Sequence, residues 1–190
     1  MALAHAHDQV VRSDGGGALR DLLESELRPY KDAASISLDG PDMGLDARAY
    51  SVLALVLHEL ATNAAKYGAL SSTGGSLTVD WKYDDGGACA IEWRERGGPP
   101  ASPPTHKGFG SILLSRSIPF DLGGKSEVRY DADGVSASFS IPAPFISELR
   151  PAKRAPFGAA GATDGGSPRI EAAMLRAARA DVFLPERIQQ

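Results

Sequence analysis

Between Asp46 and Tyr67 the apolar residues fall at Val52, Leu53, Leu55, Val56, Leu57 and Leu60. That spacing of three and four predicts one long amphipathic helix, with Gly68 as its C-cap. Leu19, Leu22, Leu23 and Leu27 repeat the pattern and predict a helix over Ala18–Leu27. Asp14 is available to start that helix after the break Gly15-Gly16-Gly17, and Pro29 closes it. Period-two alternation marks the strands. Ser35–Leu38 is short and is followed by the turn Gly40-Pro41-Asp42. Ser76–Tyr83 alternates Leu77, Val79, Trp81 and Tyr83, and Asp84-Asp85-Gly86-Gly87 turns the chain into Ala88–Glu95. A loop from Gly97 to Gly110, rich in proline and glycine, leads to a helix over Ser111–Phe120. Ser126–Tyr130 and Ala137–Ile141 are two more strands joined at Asp131-Ala132-Asp133-Gly134.

Strand, long helix, strand pair, helix, strand pair is the order of an α+β two-layer sandwich, a mixed sheet with helices on one face. Hairpin pairing excludes a doubly wound parallel sheet. Pro142–Pro144 is expected to end the compact unit. Met1–Val11 reads as the end of a helix. The main domain is expected over 31–146, a linker rich in Ala, Pro and Gly over 147–168, and a helical tail over 169–190. Ile170, Met174 and Leu175 would share one side of that tail. There are no internal repeats.

Composition narrows the function classes. The chain has 190 residues, 43% of them apolar, and a formal net charge of −4. Without clustered Lys and Arg, nucleic acid is excluded as the main partner; a nucleotide is not. The single cysteine, Cys89, cannot build a disulfide framework and reads as a small buried hydrophobe. No signal peptide is visible, and Tyr50–Leu60 is too short to span a bilayer, so a cytoplasmic location is expected.

Three elements carry candidate chemistry. In His58-Glu59-Leu60-Ala61-Thr62-Asn63-Ala64-Ala65-Lys66-Tyr67-Gly68, helical geometry places Glu59, Asn63 and Lys66 within roughly 60° of one another. A carboxylate, an amide and an ammonium on one stripe suit a metal–triphosphate. Mg²⁺ takes oxygen ligands, water and phosphate; a carboxylate can hold metal-bound water or accept a proton; an ammonium neutralises phosphate. In Trp93-Arg94-Glu95-Arg96-Gly97-Gly98-Pro99, an acid at a strand end precedes glycines that let backbone approach a flat base, whose exocyclic amine Glu95 could bind. In Lys107-Gly108-Phe109-Gly110, glycines before a helix start can aim amides at phosphate. Each element alone also fits a blander reading: a solvated helix stripe, a strand-to-loop turn, a common glycine turn. In this combination and order they are specific.

Together they resemble the ATP-binding domain shared by histidine kinases, gyrase and mismatch-repair ATPases. His58–Leu70 resembles the N box, Glu95–Gly98 the first glycine box and Gly108–Gly110 the second. A histidine in the N box with Trp93-Arg94-Glu95 looks like the HWE histidine kinases in particular, as do Leu122-Gly123-Gly124 and Ile141-Pro142. The resemblance covers roughly Leu3 to Pro142. It implies the histidine-kinase ATPase fold, with ATP and Mg²⁺ as cofactors. It also implies that Asn63 ligates Mg²⁺ and that Glu59 acts in catalysis or through metal-bound water, with His58 beside it. Lys66 and Tyr67 would face the phosphates and Glu95 would read adenine. Gly97, Gly98, Gly108, Phe109 and Gly110 would shape the site, and Pro99–Lys107 would close over it as a lid.

Relatives of this kind phosphorylate a histidine that opens a segment like His-Arg-x-Lys-Asn, which is absent here. The start of this chain resembles the second helix of the acceptor hairpin, which implies that residues 1–30 are a remnant of that hairpin and that the first helix and any sensor lie upstream of Met1. His5 and His7 lie on different helix faces and read as solvated rather than as acceptors. The implied partners are ATP, a phosphoacceptor hairpin, a response-regulator receiver domain and a second copy of the chain. The leading expectation is a protein-histidine kinase of a two-component system. The alternative is a free-standing serine-kinase or anti-sigma-like switch. A degenerate domain that no longer binds ATP fits least, because Asn63 and both glycine boxes are intact.

Overall fold

The long helix, α2 (Ala47–Tyr67), organises the fold. Asp46 starts it: its Oδ1 accepts the Ala49 N–H at 2.8 Å and satisfies one of the first-turn amides. Ala49, Leu53, Val56, Leu57, Leu60, Ala61 and Ala64 form its buried face. The computed structural model describes residues 16–103 and 109–149, together with Phe157. Met1–Val11 with His5 and His7, Asp14, Gly15, most of the linker and the whole 169–190 tail lie outside the described residues.

Chain order continues around α2. β1 (Gly17–Ala18) leads into α1 (Leu19–Leu27), then β2 (Ser35–Asp39) and β3 (Met43–Leu45) precede α2. β4 (Ser76–Tyr83) and β5 (Cys89–Arg96) follow it, then α3 (Phe109–Ser117), β6 (Lys125–Asp131), β7 (Gly134–Ile141) and β8 (Ile146–Glu148). The main sheet has the order β2-β4-β5-β7-β6. β2 runs parallel to β4, which the crossover through α2 makes possible, and the other pairs are antiparallel. This is the expected mixed sheet.

Alternation decides what each face carries. Leu77, Val79 and Trp81 of β4, Ile91 and Trp93 of β5, and Ala137, Phe139 and Ile141 of β7 are buried in one core with the helices. The register aligns Val79 with Trp93, and Trp93 with Ala137. The other face carries polar residues, among them an ion pair between Arg94 and Asp80 across β4 and β5. Leu19, Leu22, Leu23 and Leu27 of α1 are at most 1% exposed and share that core, although the sequence assigns α1 to a hairpin remnant.

Two local expectations are corrected. The helix expected over Ser111–Phe120 starts at Phe109 and gives way to a wide π turn over Ile118–Leu122. Pro119 has no N–H to continue the ladder. The chain does not end its ordered structure at Pro142–Pro144: a 3₁₀ turn, Ala143–Phe145, leads into β8. β8 pairs with β3, Leu45 against Ile146, and β3 pairs with β1 to complete a small antiparallel sheet. Gly68 does sit at the C-cap of α2, but with φ −115° and ψ −153°, so left-handed freedom is not why glycine stands there.

Candidate functional site

A cavity of about 620 Å³ opens between the C-terminal half of α2, the end of β5, the start of the loop after β5, α3 and β6. Glu59, Asn63 and Tyr67 line it from α2, and Gly110, Ser111 and Leu114 from α3. Val128, Tyr130 and Val135 form the strand side, and Pro100–Pro103 edge the opening. Its volume lies in the range of small-molecule and cofactor sites.

One end of the cavity carries the α2 stripe. Asn63 Nδ2 donates to Glu59 Oε1 at 2.9 Å. That bond orients the amide and leaves its carbonyl oxygen as the acceptor free to face a cation. Gly110 presses directly on the same carboxylate, since a Cβ there would fall 1.9 Å from Glu59 Oε1. Thr62 Oγ1 donates back to the carbonyls of His58 and Glu59, both at 3.0 Å, and holds this turn of the helix.

The other end holds Glu95, a carboxylate 2% exposed. Its Oε1 accepts the Trp93 indole N–H at 3.0 Å, and its Oε2 accepts the Ala69 backbone N–H at 2.9 Å. The two-residue strand period explains Trp93-x-Glu95: both side chains point to the buried face and bond each other. Burial pushes the Glu95 carboxyl above the usual carboxylate range, while the bonds from Trp93 and Ala69 pull it back down. Each oxygen retains a lone pair for a donor from the cavity. Gly68 is glycine because a Cβ would fall 2.0 Å from Glu95 Oε2.

The remaining candidates divide. Tyr67 is 71% exposed and lines the cavity; Lys66, one position earlier, does not, and its charge acts on the Tyr30 phenol. Gly97 (φ +73°) and Gly98 pack backbone to backbone against the loop after α2 rather than lining the cavity. A Cβ at Gly98 would lie 2.7 Å from the Ala69 nitrogen. Phe109 is 80% exposed and outside the lining. His106, Lys107 and Gly108 lie outside the described residues. His58 turns to α1 instead of the cavity: its Nδ1 lies 2.9 Å from Glu26 Oε2, and that bond holds the imidazole pKa above its ordinary value.

Sequence reasoning missed the strand wall of Val128, Tyr130 and Val135. The alternation of β6 does put Val128 and Tyr130 on one face, but only the packing of α3 over the sheet makes that face a cavity wall.

Among the described residues no group of three or more His, Cys, Asp or Glu could hold a metal by itself. One amide oxygen beside a carboxylate fits a cation that brings its own water and phosphate ligands, as Mg²⁺ does. No helix among the described residues is long and apolar enough to cross a membrane.

This mixed sheet under a long helix has the architecture of histidine kinase catalytic domains. The described fold is similar to a histidine kinase domain from Erythrobacter litoralis, with a TM-score of 0.56 at 15% identity, covering 66% of this chain and 59% of that one. It is also similar to the catalytic domain of histidine kinase ThkA, with a TM-score of 0.54 at 16% identity, covering 68% and 97%. In sequence, the chain is 36% identical over 149 residues to blue-light-activated histidine kinase 1 of Erythrobacter litoralis, covering 74% of this chain and 41% of that protein. A blue-light-activated histidine kinase of Brucella anthropi is 33% identical over 156 residues, covering 79% and 31%. The chain thus spans less than half the length of either relative. Residues 1–42 match the family model of the HWE histidine kinases. The chain is thus similar to the HWE histidine kinases over residues 1–42 and to histidine kinases over about three quarters of its length.

Proposed function

We propose that this chain binds Mg·ATP in the cavity and transfers the γ-phosphoryl group to a histidine on a helical hairpin, for relay to a response-regulator aspartate. The observation that carries the reading is the single cavity that has the Glu59–Asn63 pair at one end and buried Glu95 at the other. Such transfer rests on positioning and on charge stabilisation rather than on covalent chemistry by the protein.

The roles follow from the placement. Glu95, fixed by Trp93 and Ala69, accepts the exocyclic amine of adenine. Val128, Val135 and Leu114 supply apolar surface to the base, and Tyr67 and Tyr130 aromatic surface. Asn63 offers its carbonyl oxygen to Mg²⁺, which when bound neutralises charge on the phosphates. Glu59, held by the Asn63 amide, orders metal-bound water or takes the proton of the attacking imidazole. The acceptor hairpin, the receiver domain and a second copy of the chain are the proposed partners.

Calorimetric titration with a non-hydrolysable ATP analogue and Mg²⁺ tests this. Wild-type protein should bind, and Asn63→Ala should lose the Mg²⁺-dependent part of the affinity, by more than about tenfold. Folded wild-type protein that binds no nucleotide refutes the reading. With γ-labelled ATP in place of the analogue and an added acceptor, acid-labile label supports histidine, and acid-stable label points to a hydroxyl acceptor.

A further inference from the structure

Glu26 lies on α1, far in sequence from the cavity, yet it meets the residue that precedes Glu59. The Glu26 and His58 side chains are 13% and 26% exposed, and the 2.9 Å bond joins them across the seam between α1 and α2. Much of that seam is apolar. Leu19, Leu22, Leu23 and Leu27 of α1 are fully buried there, and apolar contact is non-directional, so it tolerates roll and sliding of one helix on the other. The Glu26–His58 bond is directional. Tyr30 and Tyr50 also feel the Glu26 charge, which adds to the effect of burial on both phenols.

We infer that Glu26 is a positioning residue: through His58 it fixes the roll of α2 and thereby the pose of the Glu59–Asn63 pair, so that the nucleotide site follows the pose of α1. Consecutive helical residues are rigidly related, about 100° apart around the axis. A roll that lengthens the His58 bond therefore swings Glu59 by the same angle, and Glu59 carries Asn63 with it through their own bond. Glu26 lies within residues 1–42, the segment that matches the HWE family model, and His58 lies outside it. The bond therefore ties that segment to the helix bearing the candidate metal ligand. This rests on the proposed nucleotide site, and it gives the N-box histidine a role other than contact with ATP.

The test reads the site with and without nucleotide, on the full chain. Without nucleotide, Glu26→Ala and His58→Ala should move the Asn63 side-chain amide resonances to the same new positions, and the double variant should move them no further. Glu26→Gln, which keeps an acceptor oxygen at the same reach, should restore the wild-type positions. Leu23→Val, which loosens the same seam without touching the bond, should lower stability and leave Asn63 in place. If Glu26→Ala fails to fold, Glu26→Asp, one methylene shorter, should still shift Asn63. With Mg²⁺ and the ATP analogue, either alanine variant should weaken binding about three- to tenfold, and the double variant no more than either. Asn63 resonances unmoved in a folded Glu26 variant, or losses that multiply in the double variant, overturn the proposal. A wild type that binds no nucleotide overturns the nucleotide reading instead, while the Asn63 resonances still decide this one.

Discussion

Replacing Gly68 by alanine tests whether the Glu95 carboxylate is held as tightly as its bonds imply. The new methyl carbon would fall 2.0 Å from Glu95 Oε2 and 3.0 Å from the Ala64 Cα. Backbone strain plays no part, because φ at Gly68 is −115°. An exposed glutamate would swing aside at little cost. Glu95 is 2% exposed, and moving it breaks the 2.9 Å bond from Ala69. Loss of a hydrogen bond to a buried carboxylate costs ~1.5–3 kcal/mol and residual crowding ~1 kcal/mol, so Gly68→Ala should destabilise by about 3 kcal/mol. Glu95→Ala orphans the Trp93 and Ala69 donors but removes a buried charge, for a net cost of about 3 kcal/mol. Since alanine at position 95 leaves room for the methyl at 68, the double variant should cost about 3–4 kcal/mol rather than the additive ~6, a coupling of about 2–3 kcal/mol. Urea unfolding of the four proteins measures this as midpoint shifts at constant m. Strict additivity would refute the claim that Gly68 is glycine on account of Glu95.

Gly110→Ala should separate binding from folding. Its methyl displaces Glu59 Oε1 from 1.9 Å away, while alanine gains up to about 1 kcal/mol of helix propensity. Urea midpoints should hold or rise while calorimetry shows weaker nucleotide binding. The raised Glu95 pKa predicts a pH slope: the folded state holds that proton more tightly than the unfolded chain does. Its stabilising contribution is complete below the ordinary value of 4.5 and is lost as pH rises through the raised value. Urea midpoints of Glu95→Gln across that window should lack this component. Asp46→Ala removes the cap bond to Ala49 and should cost about 1 kcal/mol in the same assay, with nucleotide affinity unchanged, because the cap lies at the far end of α2 from Asn63.

The sequence by itself determined the two helices α1 and α2, the five strands of the main sheet and the chemistry-bearing stripe. Helical period places Glu59 and Asn63 one turn apart on α2 whatever else the chain does, and strand period places Trp93 and Glu95 on one face of β5. The hairpin turn Asp84–Gly87 is equally local. Such features depend on residues within a few positions of each other, so they were legible in one dimension. Only the tertiary structure decided the rest. It brought Gly68, Ala69 and Glu95 together from separate elements, seated Gly110 on Glu59, and built the strand wall from Val128, Tyr130 and Val135. It also turned His58 toward Glu26, paired β8 with β3 beyond the expected end of the domain, and kept Lys66 off the cavity although helical spacing puts it on the stripe. Each of these depends on which surfaces pack against which. A chain read alone gives the direction of a side chain on its own element, and the neighbour that awaits it is set by long-range packing.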